Sequence, residues 1–250
     1  MIYSHVVTGR FLARPNRFIA QVELDGQPVT AHVKNTGRCR ELLLPGAVVY
    51  LQDHGPAPAG RKTRYDLIAV EKARPGQMPL LINMDAQAPN KVFGEWAERG
   101  SFRPDLTLLR PETAWGSSRF DFYYETAGGT RGFVEVKGVT LEEGGLAAFP
   151  DAPTERGVRH LEELARAVGE GYAAQVCFVV QMAGMSGFCP NERTHPAFGA
   201  ALRRAAEAGV EVQALECAVT PDSLWIQAPI PLSLFAGSNF ISCINTENNS

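Results

Sequence analysis

The chain has 250 residues and a mass of 27.2 kDa, which is enough for one large domain or for two of roughly 100–150 residues each. Hydrophobic residues make up 45% and charged residues 20%, and the 24 glycines and 17 prolines follow no three-residue period. This composition excludes wholesale disorder, a coiled coil and a collagen-like rod. The net charge of −3 conceals an asymmetry, because residues 1–80 are net basic and residues 81–250 are net acidic.

The first 83 residues are predicted to form short strands separated by turns. The predicted strands cover residues 6–13, 17–24, 29–33, 47–52, 65–72 and 79–83. Asp25-Gly26 favours a hairpin between the second and third strands, and residues 35–44 are the one helix-compatible stretch. A small antiparallel barrel with a short helix after its third strand closes the edges of such strands, as in an OB-fold. SH3-like barrels and small sandwiches share this pattern.

Residues 84–232 are predicted to alternate between helices and strands. The predicted helices cover residues 90–98, 155–168 and 196–208, and the predicted strands 106–109, 119–125, 132–137, 174–181 and 210–215. Thr154 is a plausible N-cap for the second helix. This order predicts an α/β domain whose sheet is partly parallel and covered on both faces. Residues 233–250 are rich in Ser and Asn and are predicted to form a poorly ordered polar tail.

The sequence gives no sign of membrane insertion or export. The densest apolar stretch, residues 176–180, is far shorter than the ~18 residues that a membrane span needs. The first residues carry no basic segment followed by an apolar run, so we expect no secretory signal. The five cysteines include no C-x-x-C pair, which predicts reduced thiols in the cytoplasm.

Two neighbouring predicted strands carry acidic residues that could work together. In the first strand Arg119, Asp121, Tyr123 and Glu125 are predicted on one face and Phe120, Phe122 and Tyr124 on the other; in the next strand Phe133, Glu135 and Lys137 share a face. If the strands pair antiparallel about Gly128, Asp121 faces Glu135 with Cβ atoms ~5 Å apart.

Two carboxylates this close repel each other unless a cation lies between them. Hard oxygen ligands at such a separation suit Mg²⁺ or Mn²⁺, with waters and a phosphate completing the shell. The ammonium of Lys137 could orient a water and stabilise charge on a phosphoryl oxygen. Glu112 is a further candidate acid, and Asp105 is a rival to Asp121. Glu-x-Lys also arises by chance on exposed strands, so this spacing alone does not establish a metal site.

Basic residues are candidates for contacts with nucleic acid. In the first domain they alternate with Phe11, Phe18 and Tyr65, and basic grooves with stacking aromatics hold single strands in OB-type barrels. In the second domain, Arg156 and Arg159 lie near a helix start whose free amides attract phosphate. The expected nucleic-acid-binding residues are Arg10, Arg14, Arg17, Lys34, Arg38, Arg40, Arg64, Arg119, Arg156 and Arg159. A capped helix with a solvated basic face is the alternative for the second group, and His160 is expected to be a surface or supporting residue.

Several blocks of sequence resemble the sugar fermentation stimulation protein (SfsA) family. They are Arg119-Phe120-Asp121-Phe122, Glu135-Val136-Lys137-Gly138-Val139-Thr140-Leu141, Phe149-Pro150-Asp151-Ala152, Thr154-Glu155-Arg156-Gly157, Arg17-Phe18 and Asn35-Thr36-Gly37. The resemblance implies an OB-fold domain at residues 1–83 followed by a PD-(D/E)xK nuclease-like domain at residues 84–232. It also implies that Asp121 and Glu135 are metal ligands, that Lys137 is the catalytic lysine and that Glu112 is an additional acid near the metal.

The sequence therefore predicts a nucleic-acid-binding protein with a metal-dependent nuclease site, whose partners are DNA and, as an alternative, RNA. Its oligomeric state stays open. A second hypothesis is a regulator of sugar-utilisation genes that binds DNA on the same fold without hydrolysing it, because fold does not fix function. A third is a globular protein that uses its barrel for protein contacts, which predicts no salt-dependent retention of nucleic acid.

Overall fold

The computed structural model describes residues 1–35, 37, 39–56 and 60–234. Its first sheet contains six strands: β1 (Val6–Asn16), β2 (Ile19–Leu24), β3 (Gln27–Val33), β4 (Val48–Asp53), β5 (Tyr65–Lys72) and β6 (Leu80–Asn83). Their order is β3-β2-β1-β4-β5-β6, and β3 also pairs in parallel with β5. This extra pairing closes the first five strands into an OB-like barrel, as predicted.

The hairpin predicted at Asp25-Gly26 is confirmed. Both residues adopt the left-handed conformation, with φ of 50° and 76°, and β2 pairs with β3 in register up to Leu24 and Gln27. Two consecutive residues with positive φ give the turn twist that matches flanking antiparallel strands. Inward-facing small and branched side chains such as Ala20 and Val22 then fill the barrel core.

The helix predicted over residues 35–44 is wrong for the part of it that the structure describes. The described residues, 35, 37 and 39–44, contain no helix and end in a turn, in which Leu43 N–H donates to the Cys39 carbonyl (3.0 Å). Cys39 has a φ of 44°, which no right-handed helix contains. Asn35 Oδ1 accepts from Gly37 N–H (2.7 Å), a local bond that competes with helical hydrogen bonding.

The second half of the chain forms a mixed sheet flanked by helices. Its elements are α1 (Ala88–Glu98), β7 (Leu106–Trp115), β8 (Ser118–Thr126), β9 (Arg131–Val139), β10 (Leu141–Glu143), β11 (Leu146–Phe149), α2 (Glu155–Gly169), β12 (Ala173–Val180), β13 (Gly187–Pro190), α3 (Pro196–Glu207), β14 (Glu211–Thr220) and β15 (Ser223–Pro229). The main sheet has the order β15-β14-β12-β9-β8-β7, with β12 parallel to both β9 and β14. Helix α1 packs on one face, and α2 and α3 pack on the other.

Four short or edge strands, β10, β11, β13 and β15, have no counterpart among the predicted elements. Strand β7 also continues well past the predicted end at residue 109 and includes Pro111. A proline is tolerated there because β7 is the edge of its sheet. Thr154 caps α2 as predicted, since its side chain accepts from Gly157 N–H (3.0 Å).

Polar contacts join the barrel to the second domain. Lys34 Nζ lies 2.5 Å from the buried Asp85 carboxylate, and Asn83 N–H donates to the Gln181 carbonyl (2.9 Å). One hydrophobic cluster also runs from the barrel into the layer beneath α2. Within the described residues, no helix is long and apolar enough to cross a membrane. The predicted polar tail lies outside the described residues apart from Ser233 and Leu234.

Candidate active site

The β8–β9 hairpin places the first candidate acid. The predicted register is confirmed over four cross-strand pairs, from Glu125↔Arg131 to Phe122↔Val134. The direct pairing of Asp121 with Glu135 is wrong, because the ladder stops at Phe122. Beyond that point the Asp121 side chain replaces a backbone partner, and its Oδ2 accepts from Val136 N–H (2.7 Å). The carboxylate of Asp121 is therefore held between the two diverging strands.

The unbroken alternation predicted along β8 is also wrong at this point. Phe122 packs against Phe93 of α1, with ring centroids 5.2 Å apart, on one face of the sheet. Phe120 packs against Phe133 on the opposite face, also at 5.2 Å. The alternation of faces along β8 is interrupted at Asp121, where β8 no longer pairs with β9. The Asp121 side chain therefore points towards the edge of the strand, where it bonds Val136 N–H, rather than towards a face of the sheet.

Glu135 and Lys137 share a face of β9, as predicted, and they contact each other. Lys137 Nζ donates to Glu135 Oε1, and His160 of α2 bonds the same oxygen through Nδ1. Arg156 Nε–H donates to His160 Nε2 (3.3 Å), so His160 Nδ1 carries the proton that it shares with Glu135. Glu135 and His160 are both buried, whereas Lys137 keeps partial exposure.

The two acids have opposite electrostatic situations. Burial, together with repulsion from the nearby Glu135 carboxylate, raises the pKa of Asp121 above its ordinary value. For Glu135, burial opposes ionisation, but the hydrogen bond from His160 and the charge of Lys137 outweigh it and lower its pKa. The site therefore favours a charged Glu135 beside an Asp121 that resists ionisation.

The side chains present fit a divalent cation. Within the described part of the chain, the buried Glu135 Oε2 has no hydrogen-bond partner, although Oε1 receives two. A buried carboxylate oxygen without a partner is costly, and a cation would relieve both that cost and the repulsion from Asp121. No set of three or more His, Cys, Asp or Glu side chains forms a metal cage among the described residues. Two carboxylates suit Mg²⁺ or Mn²⁺, which retain water ligands.

The remaining candidate acids lie in different surroundings. Glu112 has a φ of 50° and forms an exposed ion pair with Arg119 at 3.3 Å. Its role as an additional acid and the role of Arg119 in nucleic-acid binding stay predictions. Asp105 Oδ2 accepts from Gly128 N–H (3.2 Å) and so caps the turn between β8 and β9. Asp105 is therefore structural, and Asp121 is the better candidate of the two.

A basic cavity lies on the barrel. It has a volume of about 490 Å³ and is lined in part by Arg14, Arg17 and Arg40. Arg14 donates to the carbonyls of Asn35 (2.8 Å) and Gly37 (3.0 Å), so it also holds the loop that borders the cavity. The Arg17 guanidinium lies 4.6 Å from the centre of the exposed Phe18 ring. Of the three aromatics considered in the sequence, Phe18 is thus exposed for stacking, while Phe11 is buried in the core.

The other predicted basic contacts differ in how accessible they are. Lys34 is paired with Asp85, and Arg64 forms a bidentate pair with Asp53 at 2.6 Å for both bonds. Arg10 is exposed and donates to the Gly46 carbonyl (3.1 Å). Arg156 and Arg159 are exposed at the start of α2, and Arg38 lies outside the described residues.

A second cavity, the interdomain cleft, adjoins the basic cavity. The cleft has a volume of about 320 Å³ and is lined by Asn35 and Gly37 from the barrel and by Gly138, Asp151 and Gln181 from the second domain, among others. Gly37 also borders the basic cavity, so the two cavities meet at this residue.

Two residues outside the β8–β9 hairpin support the acids. Asn90, in the first turn of α1, donates to Asp121 Oδ1 (2.7 Å) and thereby completes the fixation of that carboxylate, a contact that the sequence did not predict. His160, expected as a surface or supporting residue, is buried and bonds Glu135, so the supporting alternative is the correct one. No spacing signal connects either residue with the acids, because each approaches from a separate helix.

Comparison with known proteins extends over almost the whole chain. The family model described as sugar fermentation stimulation protein RE domain matches residues 87–223, and the model described as SfsA N-terminal OB domain matches residues 12–78. The chain is similar to sugar fermentation stimulation protein homologs from Desulfitobacterium hafniense strain Y51 and Clostridium beijerinckii. It is 56% identical to the first, over 90% of this chain and 94% of that protein, and 49% identical to the second, over 91% and 97%.

A solved structure agrees with these matches. The structure of Pyrococcus furiosus SfsA in complex with Ca²⁺ is 30% identical, covers 93% of this chain and 98% of that one, and superimposes with a TM-score of 0.81. The predicted architecture, an OB-fold barrel followed by a mixed sheet flanked by helices, is confirmed.

Proposed function

The chain belongs to the sugar fermentation stimulation protein (SfsA) family, and on that premise we propose that it binds nucleic acid and hydrolyses phosphodiester bonds with a divalent metal ion. Asp121 and Glu135 are the proposed metal ligands, and Lys137 is the proposed catalytic lysine. Mg²⁺ or Mn²⁺ is the proposed ion, and DNA or RNA the proposed substrate. The four described cysteines are free, which is consistent with the reducing cytoplasm that we propose as its location.

The observation that carries the proposal is the asymmetric environment of Glu135. Lys137 and His160 both bond Oε1, while the buried Oε2 has no partner within the described residues and the Asp121 carboxylate lies close by. Most buried carboxylate oxygens have a hydrogen-bond partner, so Glu135 Oε2 is available to a cation. The Ca²⁺ complex of the Pyrococcus relative supports a divalent cation as the missing partner.

Each side chain of the site has a defined task in this proposal. A divalent cation supplies Lewis-acid polarisation of a phosphoryl oxygen and lowers the pKa of water. The Lys137 ammonium, held by Glu135, stabilises negative charge that develops on the phosphate during cleavage. His160 keeps Glu135 ionised and fixes its orientation, and Asn90 fixes the orientation of the Asp121 carboxylate.

The basic surface of the barrel binds the nucleic-acid strand in this proposal. Arg17 and Arg40 line the basic cavity, and Arg156 donates to His160, which bonds Glu135. Phosphate contacts of this kind release counterions, so affinity for nucleic acid falls steeply with salt. The proposal therefore separates binding, which depends on the barrel, from hydrolysis, which depends on Glu135 and Lys137.

The test is a cleavage panel of single- and double-stranded DNA and RNA, run with EDTA, Mg²⁺ or Mn²⁺. We expect cleavage only with a divalent ion, and we expect Glu135→Gln and Lys137→Ala to abolish it while changing affinity for nucleic acid far less. Glu125→Gln is the matched control, because Glu125 lies on the same hairpin but bonds Tyr123 (2.7 Å) instead of the site. If Glu135→Gln cleaved as fast as the wild type, the site assignment would be wrong. Salt-dependent binding without any cleavage would instead favour the non-catalytic regulator.

A further inference from the structure

The interdomain cleft lies where an α/β sheet usually receives a ligand. Gly138 is near the carboxyl end of β9, and Gln181 directly follows the carboxyl end of the neighbouring parallel strand β12. Ligands of such sheets bind in the crevice outside the strand ends. The volume of about 320 Å³ is at the small end of the range for small-molecule sites, so it suits one planar group rather than a duplex.

The charge of the cleft differs from that of the basic cavity beside it. None of the described residues that line the cleft is a Lys or Arg, and Asp151 supplies a carboxylate. The basic cavity, which meets the cleft at Gly37, has three arginines. A phosphate in the cleft would be repelled by Asp151, whereas a neutral nucleobase next to phosphates bound in the basic cavity would not.

The polar groups of the cleft include two hydrogen-bond acceptors. Gln181 Nε2 donates to three carbonyl oxygens at the domain junction, those of the Asn83 side chain (2.9 Å) and of the Asn83 and Asp85 backbones (3.1 Å each). These bonds fix the amide so that Oε1 points the other way, to within 2.6 Å of where a Cβ on Gly138 would lie. Asp151 is the second acceptor, with Oδ2 at 2.5 Å from where a Cβ on Gly37 would lie.

Both glycines allow these two acceptors to lie close to the backbone. A side chain at Gly37 would strike Asp151, and a side chain at Gly138 would strike Gln181 and Pro89. The wall of the cleft combines polar side chains such as Thr140 and Thr154 with small apolar residues such as Ala86 and Ala148. A small number of fixed polar groups orients the ligand in such a cavity.

We propose that the cleft binds one unstacked nucleobase of a single strand, and that Asp151 and Gln181 select a base with an exocyclic amino group. This inference rests on the proposed function and adds to it the strandedness and base preference of the substrate. Carboxylates accept from the amino group of cytosine, whereas thymine presents a carbonyl oxygen at the same place. A base must leave its stack to enter such a cavity, which single strands allow at lower cost than duplexes.

The test measures binding in EDTA, so that cleavage does not interfere. Fluorescent 15-nucleotide strands of deoxycytidine, of thymidine and of abasic tetrahydrofuran residues are titrated with the wild-type protein. We expect the deoxycytidine strand to bind about ten-fold more tightly than the other two, which is the size of one good base contact. Asp151→Asn should remove the preference of deoxycytidine over thymidine.

A matched pair of variants tests the location of the base. Ala86 and Gln87 are neighbouring exposed residues, but Ala86 lines the cleft and Gln87 is not among its lining residues. Ala86→Leu should abolish the ten-fold advantage of the deoxycytidine strand, and Gln87→Leu should retain it. If Ala86→Leu fails to fold, the affinities of the wild type for the deoxycytidine and abasic strands still show whether the protein binds a base.

The outcomes separate this inference from the proposed function. Steeply salt-dependent binding that is equal for all three strands would overturn the base site and leave the nuclease proposal standing. A preference that survives both Asp151→Asn and Ala86→Leu would likewise overturn it. If the wild type bound no strand at all, the base site and the proposed nucleic-acid binding would both be wrong.

Discussion

Lys72 of the barrel and Glu142 of the second domain form an ion pair that links the two domains. Lys72 Nζ lies 2.6 Å from Glu142 Oε2 and 2.5 Å from the Glu142 carbonyl oxygen, and Gly145 N–H donates to Oε1 (2.7 Å). The Glu142 side chain is only 5% exposed, whereas that of Lys72 is 20% exposed. Replacing Lys72 with Met would leave a buried carboxylate without its counter-charge.

The expected cost follows from this burial. Removing one partner of a buried ion pair destabilises a protein by about 3–5 kcal/mol, and the partial exposure of Lys72 places this pair at the lower end. A loss of about 3 kcal/mol lowers the melting temperature by roughly 6–12 °C in a chain of this size. The double variant Lys72→Met/Glu142→Gln removes both charges and should recover most of the loss.

The pH dependence of this loss has a definite sign. Burial opposes ionisation of Glu142, but the hydrogen bonds from Lys72 and Gly145 outweigh it and lower its pKa below the ordinary 4.5. A lowered pKa stabilises the fold above pH 4.5, and this contribution is lost as the pH falls through the folded-state pKa. The gap in melting temperature between wild type and Lys72→Met, measured by calorimetry from pH 8 to pH 3.5, should therefore be largest near neutrality. A gap that is independent of pH, or a double variant as unstable as Lys72→Met, would refute the reasoning.

Three further predictions concern the candidate site and its approaches. Asp121→Asn should abolish the rise in melting temperature that added Mg²⁺ gives the wild type relative to EDTA, because it removes one of the two proposed metal ligands. Arg17→Ala should reduce the slope of log binding constant against log salt concentration by about one unit. Arg64→Ala should change this slope little, because Arg64 is paired with Asp53. Filter-binding titrations at salt concentrations from about 50 to about 200 mM measure both slopes. Gly138→Ala should lower the free energy of unfolding in urea by about 1–3 kcal/mol, because its Cβ would lie 2.6 Å from Gln181 Oε1 and 2.7 Å from Pro89. An unchanged free energy of unfolding would show that Gln181 and Pro89 can move aside without cost.

The sequence predicted the regular elements of the site well because each is specified locally. Gly128-Gly129 placed the β8–β9 turn, and period-two alternation placed Glu135 and Lys137 on one face of β9. Where a side chain replaces a backbone partner, local periodicity carries no signal. Asp121 does this when it accepts from Val136 N–H, and the predicted alternation failed at that residue.

Contacts between distant segments were likewise invisible in the sequence. Residues 35–44 are compatible with a helix, yet Arg14 donates to the carbonyls of Asn35 and Gly37, contacts that the sequence does not show. Asn90 of α1 bonds Asp121, which is 31 residues away in the sequence. His160 of α2 bonds Glu135, which is 25 residues away. Lys34 and Arg64 were predicted as nucleic-acid contacts, but the structure pairs each with an aspartate.

The most direct test of the metal site is an anomalous difference map from a crystal soaked in Mn²⁺. We expect a single strong peak between the Asp121 carboxylate and Glu135 Oε2, and we expect it to vanish in a Glu135→Gln crystal grown in the same form. A wild-type crystal without a peak at these two side chains, from protein that still cleaves nucleic acid when Mn²⁺ is added, would contradict the proposed assignment of the metal ligands.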